Sequence, residues 1–276
     1  MPTMRLEIQN YMKILQKNNK TILPGIVEIF EHESTTLKTI IVMKLVGPNL
    51  EEVFDLCNRQ FSLKTIIYLT IQMFNIFDGF HKLRFVYRNI SPEKFLLSLR
   101  PSGNWLYIVD LSFTKSVVDS KGLRNEFKFT YGPPKGCPRY MSKNAMYGYE
   151  QFERDDFESS IYVLLYFLRQ GNLPWINIEG RNASEKFDKI KQIKEMTTPE
   201  MLTLGYPTEF ESILRLAYSL DYFLCPNYVA INELFTELFR REGFIDDGVY
   251  DWTNILEAKE DNRRRKANLA KKTMLE

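Results

Sequence analysis

Ile8, Tyr11, Met12 and Leu15 recur at helical spacing, so the chain is expected to begin with a helix over 6–15. The polar run 17–20 ends it. Two short strands are expected at 26–30 and 39–45, with a polar turn over 32–36 between them. Gly47-Pro48 then breaks the chain, and Asn49 is placed to cap a helix over 50–57. Ser62 is placed to cap a longer helix over 63–81. Its stripe Ile66, Thr70, Met73, Phe77 and Phe80 is joined by Leu63, Ile67, Ile71 and Phe74, so it is apolar around most of its girth and belongs in a core. A second such helix is expected over 157–168, opened by Asp156. Beyond Pro174-Trp175, helices are expected at 183–194, 199–204, 208–219 and 228–240. Helices dominate after residue 50 and the few strands cluster before it, which predicts an α+β chain. The segment from 110 to 139 lacks strong periodicity, as functional or mobile loops do.

The 276 residues suffice for one large domain or two modest ones, and 44% are hydrophobic, enough for a substantial core. Lysine and arginine number 37 against 35 acids, a net charge of +2 that gives no general push toward nucleic acid or an anionic membrane. Only the end is locally basic, at Arg263-Arg264-Arg265-Lys266. That run reads either as a solvated helix end or as a localisation or phosphate patch. Cys57, Cys137 and Cys225 are far apart and show no metal spacing, which fits a reducing compartment. Two histidines are too few for a histidine metal site. No apolar run reaches the ~18–20 residues of a membrane span, and Met1-Pro2-Thr3-Met4-Arg5 lacks a signal-peptide core. A cytoplasmic or nuclear protein is expected.

The densest chemistry lies in Tyr87-Arg88-Asn89-Ile90-Ser91-Pro92-Glu93-Lys94, between the long apolar helix and the short apolar run 95–97. Packed elements holding a polar loop are where chemistry is usually carried. A second such point, Asp110-Leu111-Ser112, follows the strand-like run 105–109.

These two segments resemble the catalytic loop and metal-binding turn of a protein kinase. The likeness narrows to the casein kinase I family. Leu45-Val46-Gly47-Pro48-Asn49-Leu50-Glu51 resembles that family's Leu-Gly-Pro-Ser-Leu-Glu hinge. Gly136-Cys137-Pro138-Arg139-Tyr140-Met141-Ser142-Lys143-Asn144-Ala145 resembles its Gly-Thr-Ala-Arg-Tyr-Ala-Ser-Ile-Asn-Ala. Arg154-Asp155-Asp156, Leu173-Pro174-Trp175, Met196-Thr197-Thr198-Pro199 and Tyr250-Asp251-Trp252-Thr253 follow in the family's order. The resemblance covers roughly 6–254. It implies a kinase-like fold with a reduced N-lobe over 1–46, a mainly helical C-lobe over 47–254 and a basic tail over 255–276. It also implies that Met43 and Leu45 would flank a bound nucleotide, that Asp156 holds the backbone of the polar loop, and that Arg139 and Lys186 form an anion pocket. The family's third basic position in that pocket is Gly132 here.

Two departures decide the expected function. No glycine-rich loop or strand lysine precedes the first helix. Glu7 or Ile8 stands where that lysine's glutamate partner belongs. In the loop, Asn89 replaces the carboxylate that takes the substrate's proton, a loss worth about 10²–10⁴ in rate. Ser91 removes a cation, and Lys94 puts an ammonium where Mg²⁺ needs an oxygen ligand. Asp110 alone keeps its metal-binding identity, and Ser112 stiffens a turn that glycine would leave free. Blander readings stand beside these: Asp110 as a turn acid kept by packing, Arg88 as a brace, Arg139 and Lys186 as a solvated pair.

The expectation is therefore a casein kinase I-like pseudokinase that binds a protein partner, phosphorylated or acidic, without nucleic acid and without a cofactor. Lys94 is expected to fill the metal position and pair with Asp110. The open strand pair, including Ile40 and Val42, is expected to be the partner site. The alternative is a serine/threonine kinase using ATP and Mg²⁺ whose first strands are missing from this chain.

Overall fold

A computed structural model of the chain describes residues 2–35, 38–99, 104–130 and 134–258. Gly132 and the basic run 263–266 lie outside the described residues. The chain is α+β. Helix α1 (Pro2–Lys17) is followed by strands β1 (Ile29–Ser34) and β2 (Thr39–Met43), then helices α2 (Leu50–Leu56) and α3 (Leu63–Lys82). Short strands β3 (Phe85–Val86), β4 (Phe95–Leu97), β5 (Leu106–Ile108) and β6 (Lys115–Ser116) come next. Helices α4 (Lys143–Met146), α5 (Glu153–Leu168), α6 (Ala183–Met196), α7 (Pro199–Thr203), α8 (Thr208–Ser219) and α9 (Tyr228–Arg241) complete it.

The caps read from sequence are made. Asn49 accepts from the Glu52 amide while Glu52 returns a bond to the Asn49 amide, each 2.9 Å. Ser62 accepts from the Thr65 amide at 3.3 Å. Helix α5 starts earlier than expected, at Glu153. Asp155 accepts from the Phe152 amide at 2.8 Å and closes the first turn, so Asp156 sits inside the helix. From Asp155 to Leu168 every residue of α5 is buried, and α3 and α8 pack against it, with α9 on α3.

The strands depart most from the pattern. Each forms part of a two-stranded antiparallel sheet, β1–β2, β3–β6 and β4–β5, so among the described residues two of the three sheets lie after residue 50. The first strand runs later than expected, to Ser34, and takes in His32 and Ser34 from the expected turn. From Phe30 to Ser34 the strand is exposed on both faces, so polar side chains are tolerated there. Ile26 instead bridges Ile108 in parallel, and the Ile108 amide donates to the Gly25 carbonyl at 2.7 Å. Gly25 has φ +85°, and a Cβ there would lie 2.3 Å from Ile76 Cγ1. The second strand ends at Met43, short of the expected Leu45, although one further bond, from the Lys44 amide to the Glu28 carbonyl at 2.8 Å, continues its register. Tyr11, Ile14, Leu23 and Ile26 share one hydrophobic core with α3 and α5, which ties the N-terminal elements to the helical body.

Candidate functional site

The polar loop 87–94 is held from below. Asp156 Oδ2 accepts from the Tyr87 amide at 2.6 Å and Oδ1 from the Arg88 amide at 2.8 Å. Its Oδ2 also lies 3.2 Å from His81 Nε2, and His81 Nδ1 lies 3.1 Å from the Tyr228 hydroxyl. Burial alone would lower the His81 pKa, but Asp156, together with Cys225, outweighs it and raises it to about 9. The imidazolium and carboxylate are both fully buried and paired.

Arg88 braces the loop from one side. It has φ 67°, its Nε donates to the Phe113 carbonyl at 2.7 Å, and its guanidinium faces Glu150 at 3.6 Å. Lys115 donates to the other Glu150 oxygen at 2.6 Å. The Arg88 carbonyl presses on Gly136, where a Cβ would meet it at 2.6 Å. Glycine is therefore required at 136, with φ +115°.

At the mouth, Lys94 Nζ donates to Asp110 Oδ2 at 2.5 Å. Asn89 Nδ2 donates to the same oxygen at 3.3 Å, and the Ser112 hydroxyl donates to Asp110 Oδ1. Asp110 sits in the left-handed region, φ 63° and ψ 68°. Burial pushes its carboxyl up, but the bonds from Lys94 and Ser112 outweigh burial and hold it below the usual carboxylate range. Ser91 is buried and its carbonyl accepts from the Lys94 amide at 3.0 Å. Glu93 is exposed.

Helix α1 closes the far side. Asn10 Nδ2 donates to the Leu111 carbonyl at 2.7 Å, and Glu7 Oε1 accepts from the Leu111 amide at 3.4 Å. Burial and the neighbouring Asp110 charge raise the Glu7 pKa. It is thus Glu7, not the buried Ile8, that faces the Asp110 turn. The Asn10 clamp escaped the sequence reading, although a polar residue between Ile8, Tyr11 and Ile14 on a buried face is a visible signal.

The structure brings Asn89, Lys94 and Asp110 together, with Ser91 beside them. Met43 lines a cavity of about 10 Å³ with Glu7, Tyr11, Val27 and Leu111, room for about one water molecule. Leu45 is 77% exposed, so the two do not share an enclosed slot. Arg139 is half-buried and its guanidinium faces Tyr140. Lys186 is exposed on the first turns of α6. No hydrogen bond or ion pair among the described residues joins them.

For a divalent cation the donor set is poor. The oxygens of Asp110 are already taken by an ammonium, an amide and a hydroxyl, and the neighbouring Glu7 carboxylate accepts from the Leu111 amide. Mg²⁺ demands several oxygen ligands. Among the described residues no group of three or more metal-ligating side chains occurs, and no helix is long and apolar enough to cross a membrane. No protein-family model matches the chain.

Proposed function

We propose that this chain is a casein kinase I-like pseudokinase that works by binding a protein, with little or no phosphoryl transfer. The observation that carries the reading is the 2.5 Å bond from Lys94 to Asp110. In the fold this chain resembles, those two positions would face one metal ion. Here a tethered ammonium supplies the positive charge, and it leaves the oxygens of Asp110 engaged. Asn89 donates an amide hydrogen toward Asp110, so it faces the site as a donor and not as a base. Glu93, the nearest carboxylate in the loop, is exposed. The residues do not fit Mg²⁺-ATP, and the small cavity beside Met43 supports the same reading.

What remains is a scaffold. Asp156, Arg88 and Gly136 hold the polar loop in shape even though its groups are unsuited to catalysis. The partner we propose is a protein, with phosphorylated or acidic segments as the first candidates, met in the cytoplasm or nucleus. The open β1–β2 pair is the surface it offers.

A radiolabelled-ATP assay on casein and on phosphorylated peptides tests this. We expect no transfer from the native chain, and none from Asn89→Asp alone, because Ser91 and Lys94 are separate losses. Transfer that disappears in Asp110→Ala would overturn the proposal.

A further inference from the structure

We infer that β2 is a self-association edge, and that a second copy of this chain pairs with it antiparallel, joining two hairpins into one four-stranded sheet. The inference rests on reading the β1–β2 pair as the binding surface. It does not depend on the loss of phosphoryl transfer.

Alternate residues of an antiparallel strand turn their N–H and C=O groups away from the neighbour. No third strand among the described residues joins this sheet, so β1 and β2 each present an open edge. The two edges are not alike. β1 carries Glu31 and Glu33 and is bulged between Ile29 and Glu31. Charges and bulges are the devices by which edge strands resist pairing. β2 reads Thr39-Ile40-Ile41-Val42-Met43, without charge, proline or glycine and rich in β-branched residues. A two-stranded hairpin is itself marginal in water.

The register follows from the faces. Met43 turns inward to the cavity beside α1, while Ile40 and Val42 are 43% and 46% exposed and lie across from Glu33 and Glu31. A two-fold axis at Ile41 sets Ile40 against Val42 of the second copy, and the reverse. The four side chains then form one apolar strip, flanked on both sides by the glutamates of β1. Pairing through β1 instead would oppose Glu31 and Glu33 to their own copies. Lys38 and Lys44 would face each other at the two ends of the seam. Lys44 is drawn away to the Tyr107 hydroxyl at 3.1 Å, so this repulsion sits at the rim. Because both hairpins then end in charged β1 edges, growth stops at two copies.

The seam is short, well under the area of a tight interface, so the dimer is concentration-dependent. Sedimentation equilibrium of the full chain should show the mass rising from 32.7 kDa toward twice that value, with association strengthened by salt. Ile40→Lys with Val42→Lys, and separately Ile40→Glu with Val42→Glu, should each stay monomeric. Mixing the two variants should restore the dimer. In the native chain, amide exchange over 39–43 should slow as concentration rises. That readout holds even where a variant folds poorly. A single mass at all concentrations, open-ended oligomers, weakening with salt, a Lys variant that still dimerises, or variants that fail to pair with each other would each overturn the inference.

Discussion

Lys94 Nζ and Asp110 Oδ2 lie 2.5 Å apart, with each side chain 27% exposed. That exposure places the bond between the weak pairs of an open surface and the strong ones of an interior. Lys94→Met should cost about 1–2 kcal/mol, read by urea denaturation. The pH response fixes the sign. Asp110 has a depressed folded pKa, so its contribution is present above the unfolded value of about 4 and fades as pH falls through the lower folded value. The gap between native and Lys94→Met stability should therefore be widest near neutrality and close in acid. Mg²⁺-ATP should leave the melting temperature unchanged, with or without EDTA. A rise of several degrees with Mg²⁺-ATP alone would contradict the site's chemistry.

The His81–Asp156 pair gives the opposite pH signature. With the folded His81 pKa raised to about 9, its stabilisation is complete below the unfolded value of about 6.5 and is lost as pH rises through about 9. His81→Gln should destabilise most near about pH 6 and least near about pH 10. Comparing the two proteins at each pH cancels other titrations. Asp156→Ala should cost about 3–5 kcal/mol, because it leaves a buried imidazole without its partner and two backbone amides without their acceptor. Exchange of the Tyr87 and Arg88 amides should accelerate with it. A cost below 1 kcal/mol would remove Asp156 as the loop's anchor.

Helix legibility followed burial. The α3 and α5 runs are apolar on nearly every face because both are central, and α8 was read at its full length. The strands were harder. The far part of β1, His32 to Ser34, is exposed and polar and falls within the expected turn, while Ile26, the apolar residue expected to start the strand, pairs instead with Ile108 across the chain. Such a pairing leaves no local signal. At the site, Asn89 and Lys94 are legible as departures from the pattern the loop resembles, and Asp110 as the acid that keeps its place in that pattern. Lys194 gives no such signal, since it is one more polar residue on an otherwise ordinary helix, whereas Asn10 stands among Ile8, Tyr11 and Ile14 on a buried face.

Lys194 is 1% exposed and donates to the Met141 carbonyl at 2.6 Å and the Pro138 carbonyl at 3.1 Å. The ring faces of Tyr162 and Trp175 lie 4.6 and 5.0 Å from its nitrogen. Burial lowers its pKa. The amine ties the 138–141 segment to α6. Lys194→Met keeps the apolar stem but leaves two carbonyls unpaired, at about 2–4 kcal/mol. Hydrogen exchange over 137–141 should rise more than over 157–168. Equal acceleration in both segments would mean that the lysine supports the fold generally and not this segment in particular.

Arg139 and Lys186 offer a test of the partner's chemistry. Arg139 is half-buried, with its backbone carbonyl accepting from Trp175 Nε1 at 2.7 Å, so its position is fixed. Lys186 is exposed on α6 and must be drawn in by a ligand. In the proposed anion site a guanidinium on an anchored backbone would meet an exposed ammonium, and affinity would be modest because both side chains lose rotamer freedom on binding. A phosphopeptide should bind about threefold to tenfold more tightly than its unphosphorylated form at low salt, about 1 kcal/mol. The difference should shrink as salt rises, because exposed charges are screened. Arg139→Ala should abolish the preference, while Lys186→Ala should reduce it. Fluorescence anisotropy of a labelled peptide pair reads all three. Equal affinity for the two peptides, or a preference that survives the double substitution, would leave Arg139 and Lys186 as surface residues and turn the search to an unphosphorylated partner.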